Sequence, residues 1–155
     1  MPSTGASDGN VTAAELFQRA GAARRSGALA NAVALYRDLQ ARFPAAEEAR
    51  LSHVSLGKLL LATGRPQEAE HHFATYLAGG AGALAAEAAF GRAQCLERLA
   101  RPREEREAWL GLLRDHPESV YAAAARKRIA ALEVTGVRPL DTHGDVPAGG
   151  PSSGQ

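Results

Sequence analysis

The chain has 155 residues, enough for one domain with a real core. Hydrophobic residues make up 45% but aromatics only 5%, so Ala and Leu must build that core, which suits close helix–helix contact better than a sheet. The formal net charge of +1, spread over interspersed charges that are nearly all Arg on the basic side, gives no electrostatic case for a nucleic-acid partner.

Cys95 is the single cysteine, which excludes an intrachain disulfide and a thiolate metal cluster. No apolar run approaches the roughly 18 residues of a membrane span. The start, from Met1 to Asp8, lacks the charged and apolar regions of a secretory signal. With Met1 as the native start the chain is expected in the cytoplasm. As a fragment of a longer protein it is expected in the periplasm or cell envelope.

Residues 1–11, rich in Ser, Gly, Asp and Asn, are expected to be disordered, and a helical domain is expected over 12–134. Thr12 and Glu15 form a capping-box pattern ahead of Leu16 and Phe17, so a first helix should run from there to Ser26-Gly27. A second, from Leu29 to Arg42, carries Val33, Tyr36 and Leu39 and is stopped by Pro44. Leu51, Val54, Leu56, Leu59, Leu60 and Thr63 then define one broad apolar face. Gly64 suits the end of that helix, and Pro66 the first position of the next, where no backbone N–H is required. The partner helix presents Ala69, Phe73, Tyr76 and Leu77, so the central hairpin spans about Glu47 to Leu77. The run from Ala78 to Gly82 reads as a loose connection. A third pair follows, from Leu84 to Ala100 and from Pro102 to His116-Pro117, with Trp109 inward. Ser119 is expected to cap a seventh helix over Val120 to Glu133. Residues 135–155 read as a disordered Pro/Gly/Ser tail.

The pattern repeats. Ala32 lies 37 residues before Ala69, and Phe73 lies 36 before Trp109, a period that indicates a helical solenoid. On Leu56-Gly57, Gly64, Ala69 and Phe73, and more weakly on Ala20, Gly27, Ala32, Tyr36 and Pro44, the chain resembles the tetratricopeptide repeat family. In the first unit Arg19 replaces the family's Leu, and in the third Glu105 replaces its small Ala. Gly91 to Pro102 is 11 residues against 9 from Gly57 to Pro66, so the third unit is expected to be longer or shifted in phase. The resemblance covers about residues 12–134 and implies an all-α, right-handed superhelix of three helical hairpins plus a C-terminal capping helix. The endings Arg42-Phe43-Pro44 and Asp115 to Ser119 look most like the bacterial envelope branch of the family, which includes outer-membrane assembly lipoproteins, Tol-associated proteins and anti-sigma-linked modules.

The resemblance further implies a non-catalytic interaction scaffold whose first helices line a concave groove for a peptide or partner helix. Its groove positions carry over to Phe17, Gly21, Arg24 and Arg25, then Leu51, Val54, Lys58 and Leu61, then Glu87, Phe90, Gln94 and Arg98. Tyr121 and Arg128 would close the end. Such a groove is apolar with a basic lean and suits an apolar or acidic segment near Arg24, Arg25, Lys58 and Arg98. Phe17, Val54 and Phe90 equally suit filling helix seams, and Arg24-Arg25 and Arg126-Lys127-Arg128 equally suit solvated faces. The chaperone-binding members' carboxylate clamp is not supported, because Phe17 and Gly21 occupy its first-unit positions. Two other roles stay open: an envelope-linked regulatory or assembly domain, and self-assembly by end-to-end stacking through an exposed Ala face of Ala122 to Ala125 and the apolar edge of Leu16.

No enzyme is expected, for want of an activated nucleophile, a Gly-rich phosphate loop or a convergent acid–base pair. Glu68 and His71 imitate half a di-iron site, and His53 is placed to approach His72, but no second half exists, so neither a metal nor another cofactor is expected. Cys95 reads as a small buried hydrophobe.

Overall fold

The computed structural model describes residues 11–136; the expected disordered ends lie almost wholly outside the described residues. Within them the protein is all-α: α1 (Ala13–Arg25), α2 (Leu29–Arg42), α3 (Glu47–Ala62), α4 (Pro66–Ala78), α5 (Ala85–Arg98), α6 (Pro102–Asp115) and α7 (Ala122–Val134). No helix among the described residues is long and apolar enough to cross a membrane. Each helix packs on its neighbours in the chain, and α3 also touches α1 and α5, so these three form a continuous row. The contacts Phe17–Tyr36 and Phe90–Trp109 pair early positions of one helix with later positions of the next, the order a hairpin requires.

Local chemistry sets the ends. Thr12 N–H donates to Glu15 Oε2 at 2.8 Å and Glu15 N–H donates to Thr12 Oγ1 at 3.2 Å, closing the capping box of α1. Three turns reverse the chain in the same way: Ala28 N–H donates to Ala23 O, Arg65 N–H to Leu60 O and Arg101 N–H to Leu96 O. The residue before each donor is left-handed: Gly27 at φ 79°, Gly64 at 78° and Ala100 at 52°. Glycine takes that conformation freely, whereas Ala100 holds it against its own Cβ.

Packing repeats with the turns. Tyr36, Phe73 and Trp109 are buried at equivalent places, as are Leu39, Tyr76 and Leu112. The small residue opposite the aromatic is Ala20 in α1, Gly57 in α3 and Ala93 in α5. Ala93 to Pro102 is 9 residues, as Gly57 to Pro66 is, so the third hairpin is in phase and Gly91 was the wrong reference. Gly91 does different work. A Cβ there would lie 2.4 Å from Phe73 Cζ, and one at Gly57 would lie 2.9 Å from it, so the ring is slotted between α3 and α5 where only glycine admits it.

Two other expectations are corrected. The stretch from Ala78 to Gly82 is tied down rather than loose. Arg50 stacks over Tyr76, 4.6 Å from the ring centroid, and donates through Nη2 to Gly80 O and Ala81 O at 3.1 and 3.2 Å. The glycines let the backbone approach: a Cβ at Gly82 would fall 2.5 Å from the Tyr76 hydroxyl. Ser119 does not cap α7. The helix begins at Ala122 after a turn, its N-cap residue Tyr121 makes no side-chain cap, and Val120 is left 88% exposed.

Candidate interaction surface

The row of α1, α3 and α5 carries two grooves, one on each side of α3. The first, of about 570 Å³, lies between α1 and α3 and is lined by Phe17, Gln18, Arg19, Gly21, Ala22, Arg24, Arg25, Tyr36 and Ser55. The second, of about 360 Å³, lies between α3, α5 and the start of α7; Lys58, Leu61, Phe90, Gln94, Arg98 and Tyr121 line it, with Ala62, Phe73, Glu87 and Gly91. Nine of the eleven candidate residues therefore line one groove or the other.

The exceptions are Val54 and Arg128. Val54 stands where Phe17 and Phe90 stand in the flanking hairpins, but it is only 1% exposed and belongs to the central core. Phe17 and Phe90 keep an accessible edge while packing edge-on against Tyr36 and Trp109, at centroid distances of 6.1 and 5.5 Å. Phe90 also stacks on Tyr121 at 4.4 Å. Arg128 is turned inward: it reaches the buried carboxylate of Glu105 through Nε and Nη2, and the same carboxylate accepts the Trp109 indole N–H at 3.1 Å. This bonding holds the Arg128 guanidinium above its usual pKa, and Arg128, which also pairs with Glu97 at 3.3 Å, ties α7 to α6 and α5 instead of closing a groove.

The expected basic lean is confined to one groove. Lys58 is paired with Glu87, and Arg98 donates to Leu61 O at 2.9 Å, so both cations of the second groove are engaged. Arg19, Arg24 and Arg25 of the first are exposed and form no ion pair with a described residue. A third hollow of about 470 Å³, over α4 to α6, is lined by charges that are mostly paired internally, including Arg92 with Glu70 and Arg114 with Asp115.

Sequence reasoning passed over Arg19 and Ala22, whose repeat equivalents Leu56 and Leu59 gave no such signal, and also passed over Gln18, Ser55 and Ala62. The repeat offset was the signal that could have found the last three, because Gln18 and Ser55 are 37 residues apart, as are Arg25 and Ala62. It also passed over the ligand of Glu105, which looked like an anomaly and is a buried anchor.

Two groups with chemical potential are occupied structurally. His53 Nδ1 and His72 Nδ1 are 2.9 Å apart, joining α3 to α4. Burial, and the neighbouring imidazoles, push His72 down to about 4 and lower His53 as well, so the pair is neutral at physiological pH. Among the described residues no three His, Cys, Asp or Glu side chains converge as a metal-binding set. Cys95 is buried and its thiol is pushed up to about 12 by burial first and by Glu70 second, which leaves it without thiolate character. No protein-family model and no curated protein matches the chain.

Proposed function

We propose that the protein is a tetratricopeptide-like scaffold, a right-handed superhelix of three hairpins plus a capping helix, that binds a peptide or partner helix along α1, α3 and α5. The reading rests on one observation above others: two adjoining grooves, both more apolar than polar, lie on the same row of helices at positions related by the sequence repeat. Side chains with nucleophilic or acid–base capacity are instead consumed by packing, as His53, His72, Cys95 and Glu105 illustrate. A peptide-display selection followed by NMR mapping tests it. Selected peptides should perturb amides of α1, α3 and α5 and leave the outer faces of α2, α4 and α6 unmoved. Perturbations confined to α2, α4 and α6 would refute it.

The surface expected for end-to-end stacking is not exposed, because Leu16, Ala122 and Ala125 are buried in their own helix seams. A second reading, self-association through the last helix, draws instead on Val134, which is 89% exposed beside exposed Ala130 and Ala131, and on Val120. Sedimentation at rising protein concentration should then show a dimer that Val134→Glu abolishes.

A further inference from the structure

We infer that the groove between α1 and α3 anchors an acidic segment of the partner through Arg19, Arg24 and Arg25, while the groove between α3 and α5 receives uncharged side chains. The inference rests on the proposed binding role of this row of helices and specifies its chemistry. Ten of the described Arg and Lys residues are in ion pairs. Of those that are not, Arg98 is held by a backbone carbonyl and Arg103, Arg126 and Lys127 line neither groove. The remaining three converge on one concavity. There Arg25 folds back over its own helix, so that a Cβ at Gly21 would sit 3.3 Å from Arg25 Nη1; the absent side chain at Gly21 leaves the guanidinium room inside the groove.

The floor beneath these cations is apolar. Phe17 packs edge-on against Tyr36, which is itself buried, and Ser55 faces them from α3. A guanidinium beside an aromatic floor offers a carboxylate forked hydrogen bonds at lower desolvation cost than an ammonium would, and an adjacent apolar side chain a place to settle. The size of the patch selects a peptide over a polyanion. From Gln18 to Arg25 the helix advances only about 10 Å, room for two or three carboxylates. A nucleic acid carries a phosphate charge every few ångströms and needs a continuing cationic track, which the second groove does not supply, since Lys58 is paired with Glu87 and Arg98 is tied to a backbone carbonyl. At the carbonyl end of α1 Arg24 and Arg25 also complement the helix dipole, a local role that does not account for Arg19 in mid-helix on the same groove.

The test is an NMR titration of the whole protein with short acetylated peptides of Leu and Glu, of Leu and Gln, and of Leu and Lys. The Leu/Glu peptide should shift amides around residues 17–25 and Ser55 and weaken as salt rises. Arg24→Gln with Arg25→Gln should weaken it about five- to tenfold, Arg24→Lys with Arg25→Lys much less, and Lys58→Gln under about twofold. Thermal melts of each variant identify any loss that is merely unfolding, and the salt dependence of the wild type stands independently of the variants. Equal binding of Leu/Gln and Leu/Glu, or an unaltered Arg24→Gln/Arg25→Gln variant, overturns this inference alone. If no peptide perturbs α1, α3 or α5, the scaffold reading falls with it. Tighter binding to phosphatidylserine vesicles or an oligouridine than to Leu/Glu also overturns it.

Discussion

The seam that joins the second hairpin to α5 and the seam that joins the third hairpin to α7 meet the same requirement by opposite means. At the first, Phe73 is wedged between Gly57 and Gly91 with Ala69 buried one turn before it, so the centre is apolar, and the polar ties of the seam, Lys58 with Glu87, Arg92 with Glu70 and Arg98 with Leu61 O, lie around that ring. At the second, Trp109 fills the equivalent place, and the residue one turn before it is Glu105, buried and bound to Trp109 and Arg128. The difference follows from what comes next in the row. α5 is itself sandwiched, with α3 and α4 on one side and α6 on the other, and at the centre of the seam no charge has to be buried. α7 is Ala-rich, packs mainly on α6 and buries only Ile129 and Leu132 as bulky side chains, so a directional ion pair helps fix its position.

The comparison can be broken most sharply at the ion pair. Arg128→Met leaves the Glu105 carboxylate buried and without its cation, and should cost about 3–5 kcal/mol in urea unfolding. Adding Glu105→Ala, the residue found at positions 32 and 69, should recover most of that loss. Phe73→Ala should cost about as much, about 3–5 kcal/mol, but with no partner substitution that rescues it. Gly91→Ala drives a methyl into a ring that has nowhere to go and should cost about 1–3 kcal/mol; in a Phe73→Leu background the penalty should shrink, a non-additivity that a double-mutant cycle reads directly.

Smaller effects sharpen the contrast. Because folding holds His72 neutral down to about pH 4 while the unfolded chain takes up its proton near 6.5, this contribution is complete above 6.5 and declines as pH falls toward 4. Discounting for its half exposure, the loss between pH 6.5 and 5 should be about 1 kcal/mol, and His72→Gln should flatten it. His53, Arg37, His71 and Glu68 face this group and set the background slope. The smallest change is a gain. Ala100→Gly relieves a left-handed alanine and should stabilise by about 0.5–1 kcal/mol, while Gly64→Ala at the equivalent turn should lose a similar amount.

Much of the helical framework was legible in the chain. Thr12 with Glu15, Gly27, Gly64, Pro66 and Pro102 mark helix ends by chemistry confined to a few residues, and the 36- to 37-residue spacing of Tyr36, Phe73 and Trp109 set which faces turn inward. Ser119 misled because the turn after His116 leaves α7 to begin later, at Ala122. Gly91 misled because a buried glycine in a helix has two uses, and sequence cannot say which neighbour comes close.

For the candidate surface the division is similar. Nine of the proposed residues line one groove or the other, since helical periodicity alone brings them to the same side. Which cations stay free was invisible. Lys58 meets Glu87 across 29 residues, Arg98 meets the Leu61 carbonyl across 37, and Arg128 meets Glu105 across 23. The amino-acid order by itself determined where helices start, stop and turn their apolar faces, because caps, glycine and proline act within a turn or two of themselves. Only the packed structure decided which charges are spent and which face outward, because a salt bridge between helices depends on the distance at which they dock.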